Sequence, residues 1–292
     1  MKTSKSDLKF LPFTKEGWLD YSSEELAPHS SYEPYAWEVF DWKSFVQWVN
    51  RNMHISIVIS VVYIAVIFSL QAFMRNRKPF GLKRELAIWN GALGLFSIMG
   101  LTRVLPDLWG QINRPNGLYH ALCVKERISV PMIFWGGLFV ISKVVELGDT
   151  IFIVLRKKPV QFLQYFHHAL SLTLAWTTGP YLEPICRFYI LMNYGVHSLM
   201  YPYFALKSMN VHIPRQFANI ITALQLIQMV IGVTINVWTS YLYYIFGSCH
   251  RYEFSIKMIW IAYGSFLVLF GDLFYRLVLK RTKKSSPVNK QN

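Results

Sequence analysis

Long runs of apolar residues alternate with short polar links along most of the chain. Each run comes close to the roughly 20 residues that an α-helix needs to cross a bilayer. The pattern predicts seven membrane spans, at residues 55–74, 86–107, 129–155, 160–178, 184–204, 217–246 and 256–279. We therefore expect an all-α integral membrane protein with an N-terminal arm (1–54), a seven-helix domain (55–279) and a basic tail (280–292).

The composition agrees with a protein that lies mostly in lipid. Hydrophobic residues make up 53% of the 292 residues and charged residues only 16%, whereas soluble domains carry about 25% charged residues. These values exclude a disordered chain, and three cysteines are too few for a disulfide scaffold. The net charge of +14 does not indicate nucleic acid here, because the basic residues cluster between apolar runs, where they can meet anionic lipid or an anionic cofactor.

The distribution of Lys and Arg predicts the orientation in the membrane. The links after the first, third and fifth spans hold Arg75, Arg77, Lys78, Lys83, Arg84, Arg156, Lys157, Lys158, Lys207 and Arg215. Because cytosolic links carry an excess of basic residues, the C-terminus is expected in the cytosol and, with seven spans, the arm on the far side. The start of the chain has no short apolar segment with a cleavage site, so no removable signal peptide is expected.

Four groups of polar residues interrupt the apolar runs, and ionisable residues inside a span are functional candidates by default. In chain order the groups are Lys143, Glu146, Asp149 and Thr150; Gln164, His167 and His168; Asn193, His197, Met200 and Tyr201; and Thr222, Gln225 and Gln228. The first group shares about one third of the circumference if the third span is one continuous helix. Each group also has a structural explanation, such as charges that pair at a helix end, a packing stripe or interhelical hydrogen bonds.

All four groups are predicted at the cytosolic side of their spans, and independent packing features have no reason to share a depth. The sequence therefore predicts a polar chamber that opens to the cytosol below a long apolar tunnel. Such a site suits an amphiphile with a polar head and an apolar tail, and the basic links could hold a phosphate-rich carrier such as coenzyme A.

A histidine-rich metal centre is the competing chemistry for this chamber. Membrane di-iron enzymes use several histidine boxes, and this chain has eight histidines in total. Five of them lie away from the four groups: His29, His54, His120, His212 and His250. The second box is therefore missing, and no metal is expected.

The four groups, in this order and at this spacing, resemble the motifs of the ELO family of very-long-chain fatty acid elongases. The motifs are Lys143-x-x-Glu146-x-x-Asp149-Thr150, Gln164-x-x-His167-His168, Asn193-x-x-x-His197-x-x-Met200-Tyr201 and Thr222-x-x-Gln225-x-x-Gln228. The resemblance covers about residues 55–280, and residues 146–153 and 192–206 look closest to elongases of saturated and monounsaturated long chains. Gln164 departs from the family, most of which has histidine there; an amide is a poor metal ligand beside imidazole but can still orient a histidine or a substrate carbonyl.

The resemblance implies a condensing enzyme. An acyl-CoA and malonyl-CoA would give a 3-oxoacyl-CoA two carbons longer, with release of CO2 and CoA. The implied fold has six of the seven helices in an inverted barrel around a narrow acyl tunnel, in the endoplasmic reticulum membrane with the N-terminus in the lumen. No tightly bound cofactor is expected; the implied partners are the bilayer, the two CoA substrates, the reductase, dehydratase and enoyl reductase of the elongation cycle, and a second copy of the chain.

The resemblance and the residue chemistry together suggest roles for the motif residues. His167 is expected to attack the acyl thioester and form an acyl-imidazole. The supporting catalytic candidates are His168, His197, Gln164, Asn193 and Gln225 around the carbonyl and enolate oxygens, with Lys143, Glu146 and Asp149 orienting the histidines or binding the malonyl carboxylate. The substrate-binding candidates are Thr150, Tyr201, Thr222, Gln228, Arg156, Lys157 and Lys158.

Two of the three cysteines, Cys123 and Cys249, fall in different far-side links. The residues alone leave open whether they form a disulfide, as an oxidising lumen would allow, or remain two thiols. Cysteines stand in the corresponding links of the family, so the resemblance implies the disulfide. Cys186 is interpreted as a packing residue.

Two alternatives from other classes stay open at this point. A seven-span receptor shares the topology but does not need a Lys/Glu/Asp/His cluster at the cytosolic side. A lipid transporter would be expected to show inverted repeats or broken helices near the midplane, which the sequence does not indicate.

Overall fold

The computed structural model describes residues 33–125 and 128–280, and all regular secondary structure within them is helical. The ten α-helices are α1 Trp42–Arg51, α2 Met53–Met74, α3 Lys83–Ile112, α4 Gly117–Cys123, α5 Val130–Val145, α6 Gly148–Leu155, α7 Phe162–Thr178, α8 Cys186–Ser208, α9 Arg215–Tyr241 and α10 Glu253–Phe274. The helices α9 and α10 continue as π-helical turns through Phe246 and Leu279. Most of the predicted arm (1–32) and of the predicted tail (281–292) lies outside the described residues.

Four of the helical segments are long and apolar enough to cross a membrane. They are Met53–Met74, Lys83–Ile112, Arg215–Phe246 and Glu253–Leu279, and they coincide with the first, second, sixth and seventh predicted spans. The protein is therefore a multi-pass membrane protein. The other three predicted spans fall on helices that are shorter or richer in polar residues, α5 to α8.

The prediction of one continuous helix at residues 129–155 is wrong. The span is divided into α5 and α6 at Glu146 and Leu147. The amides of Leu147 and Asp149 bond to carbonyls three residues back, at 3.3 and 3.2 Å, so the chain tightens into a 3₁₀-like turn. Gly148 follows, and a Cβ atom there would lie 2.5 Å from the ring of Trp89. The break therefore forms where the α3 indole packs directly on the backbone.

Small residues let the long helices approach one another closely, as is common in membrane bundles. A Cβ atom on Gly100 of α3 would lie 2.6 Å from the ring of Tyr194 on α8. Gly232 of α9 lies against the ring of Tyr263 on α10 in the same way. These contacts hold α3 against α8 and α9 against α10, on either side of the motif residues.

The links lie at two ends of the bundle. At one end, which we call the disulfide end, Cys123 is joined to Cys249, and the amide of His250 donates to the Cys123 carbonyl at 2.8 Å. At the other, which we call the basic end, Lys157 Nζ donates to the carbonyls of Arg75 and Arg77 at 3.0 and 2.9 Å. Gln164, His167 and His168 lie in the half of α7 nearer the basic end, whereas Asn193 lies in the half of α8 nearer the disulfide end.

Candidate active site

A hydrogen-bonded network joins the start of the first motif to the third. Lys143 Nζ donates to Glu146 Oε1 at 2.8 Å and to Asn193 Oδ1 at 2.9 Å. Asn193 Nδ2 lies 3.2 Å from His197 Nε2, one helical turn along α8. The other ring nitrogen, His197 Nδ1, is 3.9 Å from Glu146 Oε1, which also accepts from Ser142 Oγ at 3.1 Å. The tight turn after α5 brings the Glu146 carboxylate back onto Lys143, so the buried cation has a counter-charge.

The end of the first motif belongs to a different network. Asp149 Oδ1 accepts from Trp89 Nε1 at 2.6 Å, and Asp149 Oδ2 accepts from the Tyr201 hydroxyl at 2.9 Å. The Tyr63 hydroxyl donates to Thr150 Oγ1 at 2.6 Å. These bonds tie the break in the third predicted span to α2, α3 and α8. Within the described residues no hydrogen bond joins Asp149 to a histidine, so its direct contacts are with the surrounding helices.

The two adjacent histidines of α7 have different surroundings. The His167 ring packs on Phe266 and Phe270 of α10, with centroid separations of 4.7 and 5.6 Å. It lies across the ring of His168 at 5.5 Å and 80°. Neither imidazole has a hydrogen bond to another described residue. The ring nitrogens of His167 have no hydrogen-bond partner among the described residues, so they remain available to a ligand.

A mostly apolar cavity begins at His167 and runs toward the disulfide end. Lys143, His167, Asn193 and Gln228 contribute to its wall near the motifs. Thr178 contributes at the other end of α7, so the cavity extends for about 16 Å, since an α-helix rises about 1.5 Å per residue. Its remaining wall comes from α1, α5, α7, α8, α9 and α10 and from the links before α5 and after α7. The arrangement is a mostly apolar space with a histidine and a lysine at one end.

The sequence profile described as "ELO: GNS1/SUR4 family" matches residues 48–286. The chain belongs to this family. It is 43% identical over 237 residues to very long chain fatty acid elongase 6 of Drosophila melanogaster, a match that covers 80% of this chain and 75% of the relative. It is 37% identical over 253 residues to putative fatty acid elongase 3 of Caenorhabditis elegans, covering 86% and 79%. It is 35% identical over 254 residues to very long chain fatty acid elongase 3 of Mus musculus, covering 85% and 90%.

The residues of the two ELO motifs that contain glutamine lie only partly at the cavity. Gln228 and Tyr263 both lie on the cavity wall. Gln225 Nε2 instead lies 3.2 Å from the sulfur of Met200. Thr222 donates to the Ala218 carbonyl of its own helix at 2.9 Å. The side-chain amide of Gln164 makes no hydrogen bond to another described residue. No hydrogen bond therefore supports its predicted role in orienting His168.

The three basic residues after α6 differ in their contacts and exposure. Lys157 has a positive φ of 51° and its ammonium group binds two backbone carbonyls of the neighbouring link, so it organises the basic end. Lys158 is exposed and Arg156 half-buried. The predicted role of these two cations in binding substrate stays a prediction.

No three His, Cys, Asp or Glu side chains converge on a possible metal position in the part of the chain that the structure describes. The histidines of the second and third motifs therefore meet carboxylate, amide and aromatic neighbours. Sequence reasoning missed Tyr63, Trp89 and the α1 residues of the cavity wall. An isolated tyrosine or tryptophan in an apolar run looks the same as one that faces lipid, so the pattern held no signal for them.

Proposed function

We propose that this chain is the condensing enzyme of fatty acid elongation. It joins a long-chain acyl-CoA to malonyl-CoA and yields a 3-oxoacyl-CoA two carbons longer, CO2 and free CoA. Membership of the ELO family and the relatives named as fatty acid elongases support this reaction. The observation that carries the proposal is the position of His167 at the end of an apolar cavity, next to Lys143 and Asn193.

The chemistry that we propose has two steps. An imidazole nitrogen of His167 attacks the thioester carbon of the acyl-CoA, and the C–S bond breaks to release CoA and leave an acyl-imidazole. Malonyl-CoA then loses CO2, and the electron pair of the broken C–C bond forms an enolate. The enolate carbon attacks the acyl carbon and the C–N bond to His167 breaks, which regenerates the enzyme.

The network around Lys143 supplies the electrostatics for these steps. Lys143 and Asn193 are donors on the cavity wall and can stabilise an oxyanion near His167, where the low dielectric strengthens each hydrogen bond. Glu146 balances the positive charge of Lys143 in the absence of substrate. His197 lies 3.9 Å from Glu146 and His168 lies against the His167 ring, and we assign them to proton transfer and to support of the thioester carbonyl.

The finer architecture is also a proposal. We assign seven spans, with α5 and α6 as one broken span and α7 and α8 as the next two. Six of the spans form an inverted barrel, of which those built from α5, α7, α8, α9 and α10 line the cavity, and α1, with ten residues, is too short to cross. The basic end then faces the cytosol, where CoA substrates approach, and the disulfide end faces the oxidising lumen of the endoplasmic reticulum.

The partners that complete this function are the bilayer, the two CoA substrates and the reductase, dehydratase and enoyl reductase that process the product. We propose no tightly bound cofactor or metal, and a second copy of the chain as a further partner. We also assign the chain to the elongases of saturated and monounsaturated substrates. Family membership favours these roles over a receptor or a lipid transporter, neither of which gains a specific observation.

The test compares two histidine variants in membranes that contain this chain. Malonyl-CoA labelled in the free carboxyl is supplied with a panel of acyl-CoA chain lengths, and labelled CO2 is measured together with the 3-oxoacyl product. His167→Ala is expected to lower condensation by about 10³-fold or more, as for loss of a covalent nucleophile. His212→Ala changes an exposed histidine of the α8–α9 link and should keep full activity.

A second measurement addresses the intermediate directly. With acyl-CoA alone, the purified protein should release up to one CoA per chain and gain the acyl mass on the peptide that contains His167. Normal turnover by folded His167→Ala protein would exclude the acyl-imidazole. No product from the wild-type chain with any acyl-CoA would exclude the condensing function itself.

A further inference from the structure

We propose that residues 33–51, which we call the N-terminal strap, determine the longest acyl chain that the cavity accepts, with Phe45 as the principal contact of the methyl end. This inference rests on the proposed function, because it names the specificity determinants of that reaction. Most of the strap precedes the family match, which begins at residue 48. The family profile therefore assigns nothing to Glu38, Phe45 or Val46.

The helical part of the strap forms one wall of the cavity. Asp41 accepts from the amide of Ser44 at 3.1 Å and begins α1 as its N-cap. Phe45, Val46 and Val49 follow at helical spacing and line the cavity. The opposite face of α1 is exposed, as expected of a short amphipathic helix at a membrane surface.

The contact between α1 and α5 is close at the cavity wall. A Cβ atom on Gly137 would lie 3.0 Å from the Phe45 ring, so the glycine makes room for the ring between the two helices. The ring of Phe40 packs edge-on against Phe45 at 6.0 Å and against Phe134 at 5.5 Å. The position of the Phe45 ring therefore depends on the residues that precede α1.

A buried ion pair holds the strap against the bundle. The Glu38 carboxylate is fully buried and accepts from Arg103 Nε at 2.8 Å and Arg103 Nη2 at 2.5 Å. It also accepts from Trp135 Nε1 at 2.9 Å and from the Tyr35 amide at 2.8 Å. The two-pronged Arg–carboxylate contact has a defined orientation, so Glu38 ties the strap to α3 and α5 at once.

The far end of the cavity has a charged side and an apolar side. Glu183 and Arg187 lie on its wall, and each is in a buried ion pair, with Arg251 at 3.2 Å and Asp107 at 2.7 Å. The rest of this end is lined by α1 and by apolar residues of the link before α5 and of α5 itself: Ile128, Met132 and Ile133. A terminal methyl group gains nothing by contact with paired charges but gains by contact with apolar surface. The chain end is thus directed toward α1, and the volume of Phe45 limits the chain length.

The experiment compares substitutions at two neighbouring positions of α1. Phe45→Ala is expected to lengthen the longest product by two carbons and to raise the kcat/KM of the longer substrate, relative to the shorter one, by roughly tenfold, as two additional buried methylenes predict. Phe45→Trp should shorten the longest product by two carbons. Trp48→Ala is the matched control: Trp48 is half-exposed and packs on Trp176 outside the cavity, so its product profile should match that of the wild type.

A binding measurement separates this inference from the proposed function. Thioether analogues of acyl-CoA, which cannot be condensed, are titrated into the purified full-length chain, and the chain length with the greatest thermal stabilisation is recorded. That optimum should move two carbons longer in Phe45→Ala and two carbons shorter in Phe45→Trp. Absence of product and of binding in the wild type would exclude the proposed function.

The strap proposal has its own contradicting result. An active wild type combined with unchanged product and binding profiles in both folded Phe45 variants would overturn it. Phe45→Leu replaces Phe45→Ala if the smaller side chain prevents folding. Glu38→Gln provides an independent check, because it weakens the ion pair that holds the strap. The range of accepted acyl chain lengths should become broader, while turnover of the shorter acyl chains stays unchanged.

Discussion

Two groups of buried charged residues, one at each end of the cavity, differ in how completely their charges are matched. At the disulfide end, Arg251 is buried and donates to Glu183 at 3.2 Å, to Asn236 at 3.0 Å and to Thr239. Glu183 accepts further from Ser255 at 2.7 Å. Each ionised group therefore meets its opposite charge and several neutral partners, as buried charges in structural positions require.

At the other end, Lys143 and Glu146 also form a buried ion pair, at 2.8 Å, but no ion pair among the described residues involves Asp149 or His167. Asp149 takes hydrogen bonds from two neutral donors, Trp89 and Tyr201, and His167 lies between aromatic rings with no hydrogen bond to another described residue. Buried polar groups are nearly always satisfied unless they serve a ligand or strain the fold. Asn236 Nδ2 of the disulfide end also lacks a partner, so the two ends differ in how their charges are paired; we expect the disulfide end to stabilise the bundle and propose that the His167 group serves substrate.

The strongest test of this comparison removes one charge from the disulfide end. Arg251→Met leaves the Glu183 carboxylate buried without its cation, and we expect a loss of about 3–5 kcal/mol in the free energy of unfolding. The measurement is the yield of monodisperse protein in detergent and its thermal unfolding midpoint. A fully stable Arg251→Met protein would show that the ion pair does not support the fold.

The matched substitution in the motif group should have the opposite signature. His197→Gln keeps a polar side chain near Glu146 and Asn193, so the unfolding midpoint should change by only a few degrees, while kcat/KM falls by about 10²-fold, the usual loss for one electrostatic group. Both quantities are measured on the same preparation. Equal losses of stability in the two variants would remove the distinction between the ends.

The disulfide provides a smaller perturbation of the same end. Cys123 and Cys249 are 126 residues apart. Replacing both by serine should lower the free energy of unfolding by about 2–4 kcal/mol, because the unfolded chain regains the conformational entropy that the cross-link removes. A midpoint lower by roughly 5–10 °C is expected, with turnover of the folded fraction unchanged. A reductant should lower the midpoint of the wild type and leave the double variant unaffected; a reductant effect in the double variant would contradict this interpretation.

The smallest expected effect is the pH dependence of the strap. Burial by itself raises the pKa of Glu38, but hydrogen bonds from Arg103, the Tyr35 amide and Trp135 outweigh it, so the pKa lies below its ordinary value of 4.5. A depressed pKa contributes stability above the unfolded-state pKa and loses it as the pH falls through the folded-state pKa. The stability advantage of the wild type over Glu38→Gln should therefore be present at pH 7 and shrink below about pH 4.

Thermal unfolding of both proteins at the two pH values measures this change. Glu253→Gln is the control, because Glu253 forms an exposed pair with Lys257 at 2.6 Å, and such pairs contribute little at any pH. An advantage of the wild type over Glu38→Gln that is equally large at both pH values would show that the ionisation of Glu38 is not its source.

Much of the membrane fold could be predicted from the periodicity and length of the apolar runs. Four of the seven predicted spans coincide with α2, α3, α9 and α10, because lipid-facing helices must be apolar over most of their surface. The break at Glu146 and Leu147 could not be predicted, because it depends on the contact of Gly148 with the Trp89 ring. The α1 wall could not be predicted either, because a ten-residue amphipathic segment has no signature that distinguishes a cavity wall from a surface helix.

The candidate site divides in the same way. The motif spacing identified Lys143, Glu146, His167 and His197, because ionisable groups in apolar runs are costly and therefore conspicuous. Spacing along the chain could not show that Asp149 bonds to other helices and not to a histidine, since that depends on the direction of each side chain after the break.

The sequence by itself determined that this is a multi-pass helical protein of the ELO family, with histidines among its apolar spans. Apolar length and the order of rare polar residues are properties of the chain, and they survive without any knowledge of packing. Only the tertiary structure decided that His167 borders the cavity, that His197 lies 3.9 Å from Glu146, and that Phe45 lines the wall. These facts depend on contacts between helices that are far apart in sequence. Small residues and single hydrogen bonds set the geometry of those contacts, and they produce no repeating pattern in the sequence.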